Sequence, residues 1–164
     1  VGTRPLTEEG LMKLKTGTWV VVADGGHATI FENDGTAIAP RLKMLRDYDE
    51  PHARTSDLGE DKPPRAFSPA GGRRASFEGT DLHQVEEGRF IARIAHDLSL
   101  AATKKAFAHI VIVASPVALG NFRKAASHDL KDRVILWLDK DLTKHSVADI
   151  IAGVMRALED TAAG

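Results

Sequence analysis

The residues of this chain best suited to chemistry lie in a few places, and the first is Gly71-Gly72-Arg73-Arg74, with Lys62 and Arg65 upstream. Glycines let a backbone approach a ligand closely or take positive φ angles. Guanidinium forks match phosphate oxygens. Together they make Arg65, Gly71, Gly72, Arg73 and Arg74 candidates for contact with an RNA backbone or another phosphate. Asp57, Glu60, Asp61 and Glu78 dilute the basic cluster, and a solvated loop has much the same composition.

The second place is a set of strand ends. Ser115 follows one apolar run, and Lys144-His145-Ser146 follows another. In open α/β sheets ligands gather at the carboxyl ends of parallel strands, so Ser115, Lys144 and His145 are strand-end candidates. A triad of Ser115, His145 and Asp139 or Asp141 would suit nucleophilic catalysis. Ser115 stands between Ala114 and Pro116, however, and no Gly-x-Ser-x-Gly elbow surrounds it. Ser115 and Ser146 are as well explained by the polar residues that helix starts require. No catalytic residue is assigned on these grounds.

Seven histidines invite a metal site. His83 and Glu86 share a helix face at a spacing of three, but no second histidine follows at a ligand spacing. His27, His109 and His128 read as strand-end or surface residues. With no cysteine in the chain, thiolate zinc sites, disulfides and a cysteine nucleophile are excluded. Gly25-Gly26 precedes a strand rather than a helix, and neither a Rossmann fingerprint nor a P-loop is present. The expectation is no metal and no cofactor.

The elements that must position these residues are legible from periodicity. Thr18–Ala23 and His27–Glu32 are β-branched, aromatic-containing runs around a glycine turn, which reads as a hairpin. Thr36–Arg46 is a third, poorly alternating strand. From Asp47 to Phe77 prolines, glycines and charges dominate, which predicts a long loop of functional length over 47–77. Thr80 is placed to cap a helix running to about Ala106, with Leu82, Val85, Ile91, Ile94, Ala95, Leu98 and Ala102 as its buried stripe. His109–Ala114 and Val134–Leu138 are continuous apolar runs, as strands buried on both faces are. Pro116 and Ser146 open two further helices. Ile112, Ile135 and Val154 are expected in the core. The order predicts one α/β domain over 1–164, a mixed sheet of about five strands with helices packed on its faces.

Composition is that of a globular domain, with 43% apolar and 27% charged residues and a formal net charge of −1. No global basic field advertises nucleic acid or an anionic membrane, so any such partner meets a local patch. No apolar run is long enough for a bilayer span, and Val1–Gly17 holds no signal-peptide core. A cytoplasmic location is expected.

Thr18-Trp19-Val20-Val21-Val22-Ala23-Asp24-Gly25, followed by a strand with Ala28 and Phe31, and Asp139-Lys140-Asp141-Leu142-Thr143-Lys144-His145 resemble signatures of a bacterial family, the proteins required for attachment to host cells. Arg65–Glu87 shares the likeness, which covers nearly the whole chain. The family is in turn similar to the middle domain of archaeal and eukaryotic peptide-chain release factors: a hairpin, a glycine-rich loop, a long helix and strand–helix units. The resemblance implies a release-factor-middle-domain-like fold and a role in host attachment. In the release factor the loop carries Gly-Gly-Gln, whose glutamine helps water cleave peptidyl-tRNA. Here Gly71 and Gly72 match the glycines and Arg73 replaces the glutamine. Arginine is charged and has no acceptor, so it cannot reproduce glutamine's contacts.

The reading that follows is a release-factor-like RNA- or ribosome-associated domain without the catalytic glutamine, with the ribosome or tRNA as partner. Two alternatives stay open: a hydrolase acting on an RNA-linked or phosphorylated substrate, and a module that meets a protein partner through the long loop. The sequence leaves the oligomeric state open.

Overall fold

Five strands form one mixed sheet in the order β3-β2-β1-β4-β5. They are β1 (Trp19–Ala23), β2 (His27–Asn33), β3 (Leu42–Asp49), β4 (Ile110–Ala114) and β5 (Val134–Asp139). The computed structural model describes residues 13–49 and 69–163, with the side chains of the long helix described at 82 and from 84 onward. The helices are α1 (Pro69–Thr103), α2 (Pro116–Ala125), α3 (His128–Arg133) and α4 (Val147–Ala163).

β1, β2 and β3 are antiparallel neighbours, as the hairpin reading requires. Their turns are held by side chains that stand in for backbone partners. Asp24 Oδ1 accepts from the amides of Gly26 and His27, each at 2.8 Å, and so closes the first turn. Asn33 is fully buried at the second. Its Nδ2 donates to the carbonyls of Leu14 and Thr36, and its Oδ1 accepts from the amides of Gly35 and Arg41. A Cβ at Gly35 would collide with the Ala39 carbonyl and the Arg41 amide, so this turn admits no side chain there.

β1, β4 and β5 run parallel. Both crossovers advance the same way across the sheet, and right-handed connections then place α1, α2 and α3 on one face. The packing agrees. Phe90, Ile91, Ile94 and Leu98 of α1, Phe122 of α2 and Leu130 of α3 cover Val21, Ile30, Ile110 and Ile112. On the opposite face Ile150, Val154 and Leu158 of α4 cover Val20, Val22, Val111 and Val113. Each fully buried side chain of this kind contributes roughly 1.5–3 kcal/mol relative to exposure.

Several expectations need correction. The third strand lies at Leu42–Asp49, later than Thr36–Arg46, because Tyr48 is buried and anchors its end. The loop over 47–77 is not a loop at either end. Residues 47–49 belong to β3 and 69–77 to α1, while 50–68, with Arg65, lie outside the described residues. Thr80 is therefore inside a helix and does not cap one. Pro69 opens that helix at a position where a missing N–H costs nothing. Leu82 and Val85 are 58% and 47% exposed, so the buried stripe of α1 starts later, with Phe90. β5 is an edge strand and only half buried, Ile135 included. Ile112 and Val154 are core, as expected.

Candidate functional site at the carboxyl edge of the parallel strands

The register Ala23–Ala114–Asp139 across β1, β4 and β5 brings Asp24, Ser115 and Lys140 off the sheet at one edge. The loop before α4 folds back over that edge. Thr143 Oγ1 lies 3.0 Å from Asp24 Oδ2 and 2.8 Å from Asp141 Oδ1. A hydroxyl has one proton, so Thr143 can donate to only one of the two carboxylates at a time. The contact ties the β1–β2 turn to the β5–α4 loop, 119 residues apart. One Asp24 oxygen holds its own turn and the other lies within hydrogen-bond reach of Thr143, so Asp24 serves to fix this edge.

α1 meets the same edge. The Glu87 side chain packs against Gly25, so closely that a Cβ at Gly25 would stand 2.5 Å from Glu87 Cδ. Beyond Glu87 the helix descends over the sheet, burying Phe90, Ile91 and Ile94. Before it, α1 continues from Pro69 without interruption. From Gly72 to Glu87 a straight helix spans roughly 22 Å, at about 1.5 Å per residue. Gly71-Gly72-Arg73-Arg74 thus sit in the first turns of a helix that enters the core at the carboxyl edge, not in a loop tip.

The strand-end candidates share this edge, each with partners of its own where it has any. Ser115 precedes α2 with its carbonyl accepting from the Leu119 amide, and its hydroxyl makes no capping bond. His145 Nδ1 lies 3.6 Å from Asp149 Oδ2, one turn along its own segment, with both side chains exposed. Lys144 is exposed. No hydrogen bond joins Ser115 to His145, and Asp141 accepts from the Thr143 amide and shares the Thr143 hydroxyl with Asp24. Helix length also keeps Arg73 and Arg74 well away from Glu87 and Gly25. Among the described residues no hydrogen bond links Ser115, Lys144 and His145 into one group.

Among the described residues no group of three or more His, Asp or Glu side chains is placed to hold a metal ion. No helix among them is long and apolar enough to cross a membrane. Sequence reasoning missed the Asp24–Thr143–Asp141 link. Both aspartates lie in stretches already noted, yet only the sheet order could show that the turn after β1 and the loop after β5 meet.

Residues 19–154 match the model of a family described as protein required for attachment to host cells. The match spans most of the chain, and the family implies a role in host-cell attachment. No curated protein matches the chain.

Proposed function

We propose a role for this chain from one premise: it belongs to the family of proteins required for attachment to host cells. Within that role the protein acts as a release-factor-like domain that associates with RNA or the ribosome and does not cleave peptidyl-tRNA.

One observation carries the reading. Gly71-Gly72-Arg73-Arg74 lies near the start of a single 35-residue helix whose later turns are buried from Phe90 onward. Such a helix holds a basic segment at a fixed distance from the domain. Arg73 and Arg74 bring two guanidinium groups suited to phosphates. Arg73 in the place of the release-factor glutamine lacks the carbonyl that would accept from an attacking water. Ser115, Lys144 and His145, which no hydrogen bond links among the described residues, give a hydrolase reading no support.

Ribosome co-sedimentation of the wild type against Arg73→Ala/Arg74→Ala tests this. Binding should fall steeply with salt, and the double variant should flatten the log–log salt slope by about 1.5–2, the loss of two phosphate contacts. Peptidyl-tRNA cleavage should be absent in both. Arg73-dependent cleavage by the wild type, or binding indifferent to both arginines, would overturn the proposal.

A second reading, a protein-interaction module, is favoured by Leu82 and Val85, two exposed apolar side chains three residues apart on α1. Leu82→Glu/Val85→Glu would then abolish partner capture while leaving ribosome binding and its salt dependence unchanged. Loss of both together would reject it.

A further inference from the structure

The two edges of the sheet differ in kind. β3 carries Lys43, Arg46, Asp47 and Asp49, the charges by which natural edge strands discourage pairing. β5 carries no charge between Val134 and Leu138. Those five residues, Val-Ile-Leu-Trp-Leu, are all only half buried, whereas every residue of neighbouring β4 is buried. Among the described residues no strand lies beside β5 on its outer side, so it presents one row of backbone N–H and C=O groups there.

The charges that flank β5 have an order. Lys131-Asp132-Arg133 precedes it and Asp139-Lys140-Asp141 closes it. Reversed in direction, one triplet is the sign complement of the other. We propose that β5 pairs antiparallel with β5 of a second copy of this chain about a two-fold axis, joining two five-stranded sheets into one.

A two-fold centred on Leu136 brings Arg133, the last residue of α3, toward Asp139 of the other copy at both ends of the ladder. It also brings Asp132 toward Lys140 and Lys131 toward Asp141. The outer two pairs lie on the last turn of α3 and in the loop after β5, so they add to the field rather than to the ladder. Shifting the axis by one residue, to Trp137, still leaves Arg133 opposite Asp141. That shift leaves only this one opposite-charge pair in place of three, so the charges favour the register centred on Leu136.

The guanidinium at the site of closest charge contact is held in place from within the chain, since Arg133 gives one N–H to the Phe107 carbonyl at 3.3 Å. A carboxylate from a second copy would arrive beside that guanidinium. A parallel arrangement would set Arg133 beside Arg133, like charge against like. A two-fold closes the assembly at two copies, and the same patch serves both partners. The pairing is independent of the RNA reading, since α1 has no part in it.

Sedimentation equilibrium of the full chain over a concentration series tests the pairing. The wild type should dimerise. Two charge-reversed variants, Asp139→Lys/Asp141→Lys and Lys131→Glu/Arg133→Glu, should each weaken self-association by about tenfold or more, because like charges then face each other at both ends. Mixed together they should restore a dimer, since each supplies what the other has lost. Arg133 also bonds Phe107, so circular dichroism must show that the second variant folds.

If the second variant does not fold, the absence of native cysteine offers another route. Leu136→Cys or Trp137→Cys should be joined into a covalent dimer by a short bis-maleimide, and Met44→Cys on the other edge should not. A wild type that stays monomeric up to roughly 100 μM, well above the affinities of ordinary interfaces, would overturn the proposal. So would a dimer that ignores both charge reversals, or one captured through Met44→Cys alone.

Discussion

The Tyr48 hydroxyl on β3 donates to Asp97 Oδ2 on α1 across 2.8 Å, fastening the charged edge of the sheet to the long helix. Arg46 completes the group. Its guanidinium is 3.8 Å from the same carboxylate oxygen and 4.8 Å from the centre of the Tyr48 ring. Tyr48→Phe keeps the ring and removes the donor, and it should cost about 1 kcal/mol, the ordinary worth of a net hydrogen bond. Urea unfolding of the two proteins measures it. A variant as stable as the wild type would mean that water replaces the phenol without loss.

The same pair makes stability depend on alkaline pH. Burial, and then the Asp97 carboxylate that accepts its proton, push the Tyr48 phenol up from 10.0 to about 12. In the unfolded chain the phenol ionises near 10, so above that pH the unfolded state binds fewer protons than the folded one. This contribution is therefore complete below pH 10 and is lost as pH rises toward 12. Tyr48 is the only tyrosine, which makes an ultraviolet difference titration unambiguous. A phenol that titrates at its ordinary value would contradict the geometry.

His109 gives the acid-side counterpart. Burial first, then the positive charges of Lys15 and Arg133, hold its imidazole below the ordinary 6.5. As pH falls through 6.5 the unfolded chain takes up a proton that the folded chain resists, so folding weakens toward acid. His109→Gln should flatten this slope. NMR titration of the His109 ring checks the direction independently, and an apparent value at or above the ordinary one would refute the prediction.

Core positions divide according to where their strands sit in the sheet. Ile112→Ala, in central β4, should cost about 2–5 kcal/mol, whereas Ile135→Ala on half-buried β5 should cost less than about 2 kcal/mol. The sequence marked both as core, because an apolar run reads the same in a central strand as at an edge. Only sheet order separates them, and no local pattern encodes it. Equal losses in thermal unfolding would mean that β5 is covered in solution.

Lys105 follows α1 with a positive φ of 60°, a conformation that glycine adopts without strain. Its amide bonds Ala102 and the Ala106 amide bonds Ala101, which together satisfy the open carbonyls at the end of the helix. Lys105→Gly should stabilise the protein by about 0.5–1 kcal/mol, since relief of strain exceeds the added freedom of the unfolded chain. Differential scanning calorimetry reads the shift, and a fall in Tm would contradict it.

Periodicity found the hairpin, the strand–helix alternation and the α4 cap, where Ser146 Oγ accepts from the Asp149 amide as expected. It placed the start of α1 eleven residues late, at Thr80 rather than Pro69. The reason is physical. Gly71 and Gly72 carry the lowest helix propensity short of proline, and the described side chains ahead of Phe90 form no apolar stripe. The site was legible only as a set of strand ends. Ser115 and His145 reach the expected edge, but the spacing of residues along a chain does not say which side chains meet across it.

The parallel pairing of β1 with β4 sets Trp19 beside Ile110, across most of the chain, while β1–β3 on one side and β4–β5 on the other are formed from near neighbours. The sheet is two local halves joined along a single distant seam. Closing the intervening chain has an entropy cost that the seam alone must offset, and contacts of long sequence separation are the slow ones to form. The folding rate should therefore follow the seam. Val21→Ala, facing Ile112 across it, should slow refolding in stopped-flow experiments, whereas Tyr48→Phe should act mainly by speeding unfolding. The family's conspicuous opening strand is thus the piece that waits longest for its second partner.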